Sequence, residues 1–424
     1  MRIFQVNHGY PMRYNAGSEV YAQNLTLALA RRGHHVAVFS RCEDLILPEY
    51  ALLEERDGEI PHYLVNLARS QARVQHEALD QVFADVLERE QPEVVHFHHL
   101  NHLSLGLVAM ARRTGAVVVF TVHDFWLCCP RGQLVSWALE GEPWALCSGQ
   151  DDARCARACF TRSYTGLADF HAQDEAYWTA AVAARMAAVE ALLPHIDLFV
   201  CPSRTVAAAL VARFPQVAGR LVLQDYGFPA MKLAPPTPRE AFTFGYLGTH
   251  TAPKGLDLLI RAFRGVRGEA RLILWGRPRG QATDGLYALA EGDPRIRFED
   301  EYRNGALGGA VLPAVDCVVV PSIWLENSPL VIHEAQQARR CVVTADAGGM
   351  AELVAHEVNG LLFRHRDEED LRRQLQRLVD EPGLAARLGA RGYLGTSDGH
   401  VPSIDAEAGV FEEHYARLLA GVRA

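Results

Sequence analysis

"FTFGYLGTHTAPKGLDLLIRAFRGVRGEARLILWG", Phe242–Gly276, decides the fold. "FTFGYLG" is a short apolar run that stops at a glycine and reads as a strand buried on both faces. "GLDLLIRAFRGV" reads as a helix and "ARLILWG" as the next strand. Strand, helix and strand in this order predict a parallel sheet with helices packed against it. The pattern runs on through "RIRFED" (295–300), "CVVVPS" (317–322) and "CVVTAD" (341–346), with helices between them. The fold class is therefore α/β, a doubly wound sheet.

The same alternation fills the first half of the chain. "RIFQVNH" (2–8), "HVAVFS" (35–40), "EVVHFHH" (93–99), "AVVVFTVHD" (116–124) and "DLFVCPS" (197–203) read as strands. Helical stretches separate them, the first being "AGSEVYAQNLTLALARRGH" with Gly33 as its stop. A proline-rich break, "FPAMKLAPPTPRE" (228–240), divides the two halves and reads as a linker. We expect an N-terminal domain over 1–228, a second domain over 229–402, and a last helix over 403–424 that can pack on either, the N-terminal one included. The 424 residues suit two domains better than one core.

Composition excludes several classes. At 49% apolar and 22% charged residues the chain is an ordinary globular protein. A net charge of −9, with neither half basic, argues against nucleic acid as a partner. The first residues, "MRIFQVNHGYPM", contain no apolar core of a signal peptide, so cytoplasmic residence is the expectation. The nine cysteines then read as thiols or metal ligands before disulfides. Of 42 Lys and Arg, only Lys232 and Lys254 are lysines, a hint that Lys254 is wanted as a compact ammonium.

Open parallel sheets bind ligands beyond the carboxyl ends of their strands. Two such domains facing each other make a central cleft, so the polar residues at the strand ends matter most. "GYLGTHTAPKG" offers Gly248 for close backbone approach, then Lys254 before a helix N-terminus that favours an anion. In "NHGYPMRYNAGSEV", Gly17 can lie against a phosphate while Ser18 reads as a helix N-cap. In "ENSPLVIHEA", Ser328 reads as a cap and Pro329 as a first-turn residue. Capping leaves Glu326, in the loop, and Glu334, inside the helix, unexplained.

Taken together these motifs resemble the retaining GT-B glycosyltransferases, most closely family 4 and its "ENSP" branch. The glycine-bearing N-terminal loop, "TVHD", "G…PKG", "PS…ENSP…EA" and "GGMAELV…NGLLF" stand in family order along nearly the whole chain. The resemblance implies two Rossmann-like domains, the first for the acceptor and the second for a nucleotide-sugar such as a UDP- or GDP-hexose. It implies Lys254 on the donor diphosphate, Glu334 on the ribose hydroxyls, Glu326 beside the transferred sugar and His123 near the reacting centre. Gly248, Thr249, Asn327, Ser328, Leu330 and Val331 would line the donor with their backbones. No cofactor is implied for catalysis. The implied product belongs to polysaccharide or glycoconjugate biosynthesis, with a glycan, glycolipid or secondary metabolite as acceptor. A glycolipid acceptor would add peripheral contact with the inner face of a membrane. The family's arginine after the glycine of the "PKG" stretch is Thr249 here, followed by His250, so leaving-group stabilisation would fall to Lys254 or to another arginine such as Arg277.

Two clusters suggest other chemistry. His96, His98 and His99 in "VVHFHHLNH", with Asp124, read as acceptor-side contacts or satisfied polar groups in preference to a metal site. Cys129, Cys147, Cys155 and Cys159 lie in a cysteine-bearing insertion over about 127–175 and fit a structural zinc site, buried thiols or a disulfide. Two other functions remain in view: a metal-dependent hydrolase built on these clusters, and a nucleotide-sugar binding protein without turnover.

Overall fold

The computed structural model describes residues 1–424 apart from 12, 68–73, 138–143, 161–171, 279 and 424. The chain divides into two compact units, Met1–Pro229 together with Ser403–Ala424, and Ala230–Pro402. Parts of the cysteine-bearing insertion, 138–143 and 161–171, lie outside the described residues.

In the first unit the strands are β1 (Arg2–Val6), β2 (His35–Cys42), β3 (Leu52–Asp57), β4 (Ile60–Asn66), β5 (Val94–Phe97), β6 (Val117–Thr121), β7 (Val135–Trp137), β8 (Trp144–Leu146), β9 (Leu198–Cys201) and β10 (Leu221–Leu223). Eight of them form one sheet in the order β10-β9-β6-β5-β1-β2-β4-β3. Every pairing in it is parallel except β3 with β4. That edge hairpin turns at Gly58, at φ +62°, and was not anticipated from the sequence. Strands β7 and β8 pair with each other in a small separate ribbon.

Helix α1 (Gly17–Arg31) follows β1 and buries Tyr21, Ala22, Leu25, Ala28 and Leu29. Its cap residue is Ala16, which makes no side-chain capping bond. Ser18 is thus not the N-cap; it lies within the first turn, and its hydroxyl donates to Glu19 Oε2 at 2.9 Å.

The second unit holds β11 (Phe242–Leu247), β12 (Ala270–Trp275), β13 (Ile296–Glu299), β14 (Cys317–Val320), β15 (Cys341–Ala345) and β16 (Leu361–Phe363). All run parallel, in the order β13-β12-β11-β14-β15-β16. Helix α2 (Leu256–Arg264) joins β11 to β12 and buries Leu256, Leu259, Ile260 and Phe263, while Asp257, Arg261 and Arg264 stay outside. Helix α3 (Leu330–Gln337) follows β14 and starts one residue later than expected, with Pro329 in the cap position and no side chain capping it. Ser328 is buried behind that start and is not the cap. The proline-rich segment is tied down, because Ala234 N–H donates to Gly308 O at 3.0 Å and Thr237 N–H to Pro313 O at 3.1 Å.

The last helix, α4 (Ile404–Arg423), belongs to the first unit. Phe411 and Tyr415 are fully buried, with Phe411 5.0 Å from the His96 ring. Tyr415 Oη lies 2.7 Å from His96 Nδ1. Among the described residues no helix is long and apolar enough to cross a membrane. Phe411→Ala should cost the first unit about 3–5 kcal/mol, the transfer and cavity terms of a buried aromatic. Urea titration followed by circular dichroism would measure it.

Candidate active site

Each sheet reverses its winding direction once, and ligands of doubly wound folds bind at that reversal, beyond the carboxyl ends of the strands. In the second unit it falls between β11 and β14. The loops leaving these two strands carry Lys254 and Glu326.

Gly255 lets the loops meet. It adopts φ +70°, and a Cβ there would lie 2.0 Å from Pro321 O. The approach is secured by Ile323 N–H, which donates to Pro253 O at 2.9 Å. Lys254 Nζ then stands 2.7 Å from Glu326 Oε1. That oxygen also accepts from Ser322 Oγ at 2.6 Å and Trp324 Nε1 at 2.9 Å. The ammonium lies 5.5 Å from the centre of the Trp324 ring, a cation–π contact. Glu326 is 6% exposed and Lys254 32%, so removing either partner strands a poorly solvated charge.

Glu326 itself sits at φ +35°, which costs a non-glycine residue about 1–3 kcal/mol. Its neighbours hold it there. Gly349 N–H donates to Leu325 O at 3.0 Å and to Glu326 O at 3.1 Å. Cβ atoms on Gly348 and Gly349 would lie 1.5 Å from Leu325 O and 1.2 Å from Asn327 O. The glycine pair of "GGMAELV" is therefore the bed on which the 325–327 turn rests.

Asn327 and Ser328 are buried beside this turn. At the start of α3 the N–H groups of Leu330 and Val331 have no acceptor among the described residues, as expected of a helix N-terminus. With Lys254 they make the second unit's carboxyl edge suited to an anion. Glu334, the fifth residue of α3, is half-buried, and its carboxylate has no hydrogen-bond partner among the described residues. Burial pushes its carboxyl up to about 7, opposed by His333.

Thr249 and His250 supply no cation. Thr249 O accepts from Tyr246 Oη at 2.9 Å. His250 is 1% exposed and packs on Phe298, and burial lowers its pKa. Arg277 does not fill the gap either, because its guanidinium is spent on Glu301 in two bonds of 2.9 and 2.8 Å.

In the first unit the reversal falls between β1 and β5. His96 and His98 lie on or just beyond β5, fully buried. His96 is bonded to Tyr415 Oη and to Thr121 Oγ1 at 2.8 Å, and burial pushes its pKa down to about 3. His98 is bonded to Gln5 Oε1 at 2.6 Å and His123 Nε2 at 3.1 Å. Of the two readings given for His96 and His98, acceptor contacts or satisfied polar groups, the second describes them: all four ring nitrogens are hydrogen-bonded within a sheet covered by α4. His123 and Asp124, beyond β6, are partly exposed. Asp124 accepts from Trp126 N–H at 2.7 Å and lies 3.3 Å from His99 Nε2. Gly17 is exposed at the start of α1.

His8 and Glu19 join this edge and were not singled out from the sequence, although both lie in the loop read there for Gly17 and Ser18. His8 Nε2 is 3.2 Å from Glu19 Oε1, and the two rings of His8 and His99 are 4.6 Å apart. Their signal was a histidine at a strand's carboxyl end and a glutamate one turn into the next helix.

The four cysteines of the insertion are neighbours. Burial pushes Cys155 up to about 12, with Cys159, Cys129 and Cys147 close enough to add to it. Cys147 donates to Gly149 O at 3.1 Å and receives Arg154 at 3.5 Å. Among the described residues no three His, Cys, Asp or Glu side chains are placed to hold one metal ion.

Family models match both units: Glycosyltransferase Family 4 over residues 15–223 and Glycosyl transferases group 1 over 241–381. The chain belongs to glycosyltransferase family 4. A D-inositol 3-phosphate glycosyltransferase of Actinosynnema mirum is 26% identical over 406 residues, 88% of this chain and 86% of that protein. The enzyme of the same name from Stackebrandtia nassauensis is 33% identical over 165 residues, spanning 36% of this chain and 37% of the relative's length. Among solved structures, sucrose-phosphate synthase from Thermosynechococcus elongatus superposes with a TM-score of 0.69 at 19% identity, covering 99% of this chain and 100% of that one. Anabaena HepE in complex with UDP gives 0.66 at 16% identity, covering 98% and 100%. These neighbours share the GT-B fold of this family 4 member.

The glycine bed can be tested directly. Gly349→Ala should destabilise the second unit by more than about 4 kcal/mol, since a buried backbone overlap has no flexible side chain to absorb it. A thermal unfolding midpoint within a degree of wild type would contradict that account.

Proposed function

We propose that this family 4 member is a retaining glycosyltransferase that moves a hexose from a nucleoside-diphosphate donor to a glycan, glycolipid or secondary-metabolite acceptor. The observation that carries the reading is the Lys254–Glu326 contact of 2.7 Å beside the open N–H groups of α3, at the strand reversal of the second sheet.

The parts fit the demands of the chemistry. A sugar leaving a diphosphate passes through an oxocarbenium-like state, and negative charge grows on the leaving phosphate. In our reading Lys254 and the N-terminus of α3 meet that charge. Leu330 and Val331 contribute N–H groups where Pro329 has none. Glu334 takes the ribose hydroxyls as an ionised acceptor. Glu326 holds Lys254 in place and turns its second oxygen to the sugar hydroxyls. Three hydrogen bonds on Oε1, one from an ammonium, draw charge from the whole carboxylate and make its second oxygen a weaker nucleophile, which speaks for a same-face displacement over a covalent sugar–Glu326 intermediate. The departing phosphate then takes the acceptor's proton, the new glycosidic bond forms on the face the phosphate leaves, and no protein base is needed. The acceptor would bind at the carboxyl edge of the first sheet, by Asp124 and His99.

A thermal-shift screen across UDP-, GDP- and ADP-hexoses should raise the unfolding midpoint with one donor class, since a ligand bound only to the folded state stabilises it by mass action. With that donor, Lys254→Ala should lower turnover about 10²-fold or more. Unchanged turnover would remove Lys254 from the chemistry, and no stabilisation by any nucleotide-sugar would sink the reading.

Donor affinity should also depend on pH. Burial pushes the Glu334 carboxyl up to about 7, and its ionised form is the stronger acceptor for two ribose hydroxyls. Affinity should be flat above pH 7 and fall by about tenfold per unit below it. Calorimetric titration between about pH 5.5 and 8.5 would show the slope, which Glu334→Gln should abolish.

A further inference from the structure

We infer that Gln5, through His98, sets the tautomer of His123 and that Tyr226 is a positioning residue that holds its ring, leaving His123 neither an acid nor a base in the reaction. Because His123 matters to the reaction only as part of a glycosyltransferase, the kinetic consequence rests on the function proposed above; the tautomer does not.

The assignment follows hydrogen by hydrogen. Gln5 Oε1, an amide oxygen, can only accept, and it lies 2.6 Å from His98 Nε2. His98 therefore carries its proton on Nε2. Burial lowers its pKa far below the usual value, so it is neutral and its Nδ1 is an acceptor. That Nδ1 lies 3.1 Å from His123 Nε2, which must be the donor. His123 is neutral for the same reason, so its Nδ1 has a lone pair and no proton. Tyr226 Oη, 2.7 Å away, fills that lone pair. The tyrosine ring also stacks on the imidazole with centroids 5.6 Å apart and planes at 23°. Tyr21 closes over both, its ring 5.2 Å from His123 and 4.5 Å from Tyr226.

Tyr226 is itself held from the far end of the chain. Gly227 N–H donates to Glu407 Oε2 at 2.6 Å, and Tyr21 Oη donates to Glu407 Oε1 at 2.6 Å. A Cβ on Gly227 would lie 2.7 Å from Ser403 O, so the 224–227 segment rides directly on the start of α4. The C-terminal helix thereby sets a ring at the end of β6.

The experiment is a long-range 1H–15N correlation spectrum of histidine-labelled full-length protein, with His123→Gln identifying the ring. Wild type should show His123 protonated on Nε2 with a hydrogen-bonded, unprotonated Nδ1. In Tyr226→Phe that Nδ1 signal should shift to the position of an unbonded nitrogen, with the proton still on Nε2. The same variant should lose about tenfold in kcat, one hydrogen bond's worth, with donor KM within about twofold. A wild-type His123 protonated on Nδ1, or a Tyr226→Phe spectrum identical to wild type, overturns the inference. The spectrum is read without substrate. An inactive wild type with the expected spectrum would therefore overturn the function and leave the tautomer standing.

Discussion

An ammonium and a carboxylate 2.7 Å apart, at the ends of two neighbouring parallel strands, set the arrangement of the second unit's edge. Almost every unusual backbone feature nearby serves that contact. Gly255 lets the Lys254 turn lie on Pro321, and Gly348 and Gly349 let the 325–327 turn lie on the helix behind it. Glu326 accepts an unfavourable backbone angle because three donors converge on one of its oxygens. The carboxylate is first a clamp on the lysine, and any contact with a sugar comes second to that.

The first unit solves a different problem with histidines. Four of them, His8, His98, His99 and His123, gather at the edge where β1, β5 and β6 end, and burial keeps His98 and His123 neutral. A neutral imidazole brings one donor and one acceptor, so a buried chain of them needs a fixed order of protons. Gln5 at one end supplies that order, and Tyr226 at the other closes the chain by donating to His123 Nδ1. The histidines of "VVHFHHLNH" are thus spent largely on holding a strand edge together.

Missing cations are as informative as present ones. Where the family pattern places an arginine, this chain has Thr249 and a buried His250, and Arg277 is committed to Glu301. Lys254, a compact ammonium in a chain that uses arginine nearly everywhere else, is one positive charge at this edge, and Arg366, whose Nε donates to Ile323 O at 3.1 Å, is another.

The sequence by itself determined the two doubly wound sheets and the strand ends beyond which Lys254 and Glu326 lie. These are local matters: an apolar run, a glycine and a helix period lie within a few residues of one another, and a parallel sheet leaves few alternatives for them. Only the tertiary structure decided which polar groups satisfy each other. It chose between acceptor contacts and satisfied polar groups for His96 and His98 by making them buried partners of Tyr415 and Gln5, moved the helix starts away from Ser18 and Ser328, and brought His8 and Glu19 to the first unit's edge. It also tied Tyr226 to a helix some 180 residues further on, through Glu407. Hydrogen bonds between residues far apart in the chain have no period and no spacing, so they become legible only when the backbone has brought both partners within 3 Å.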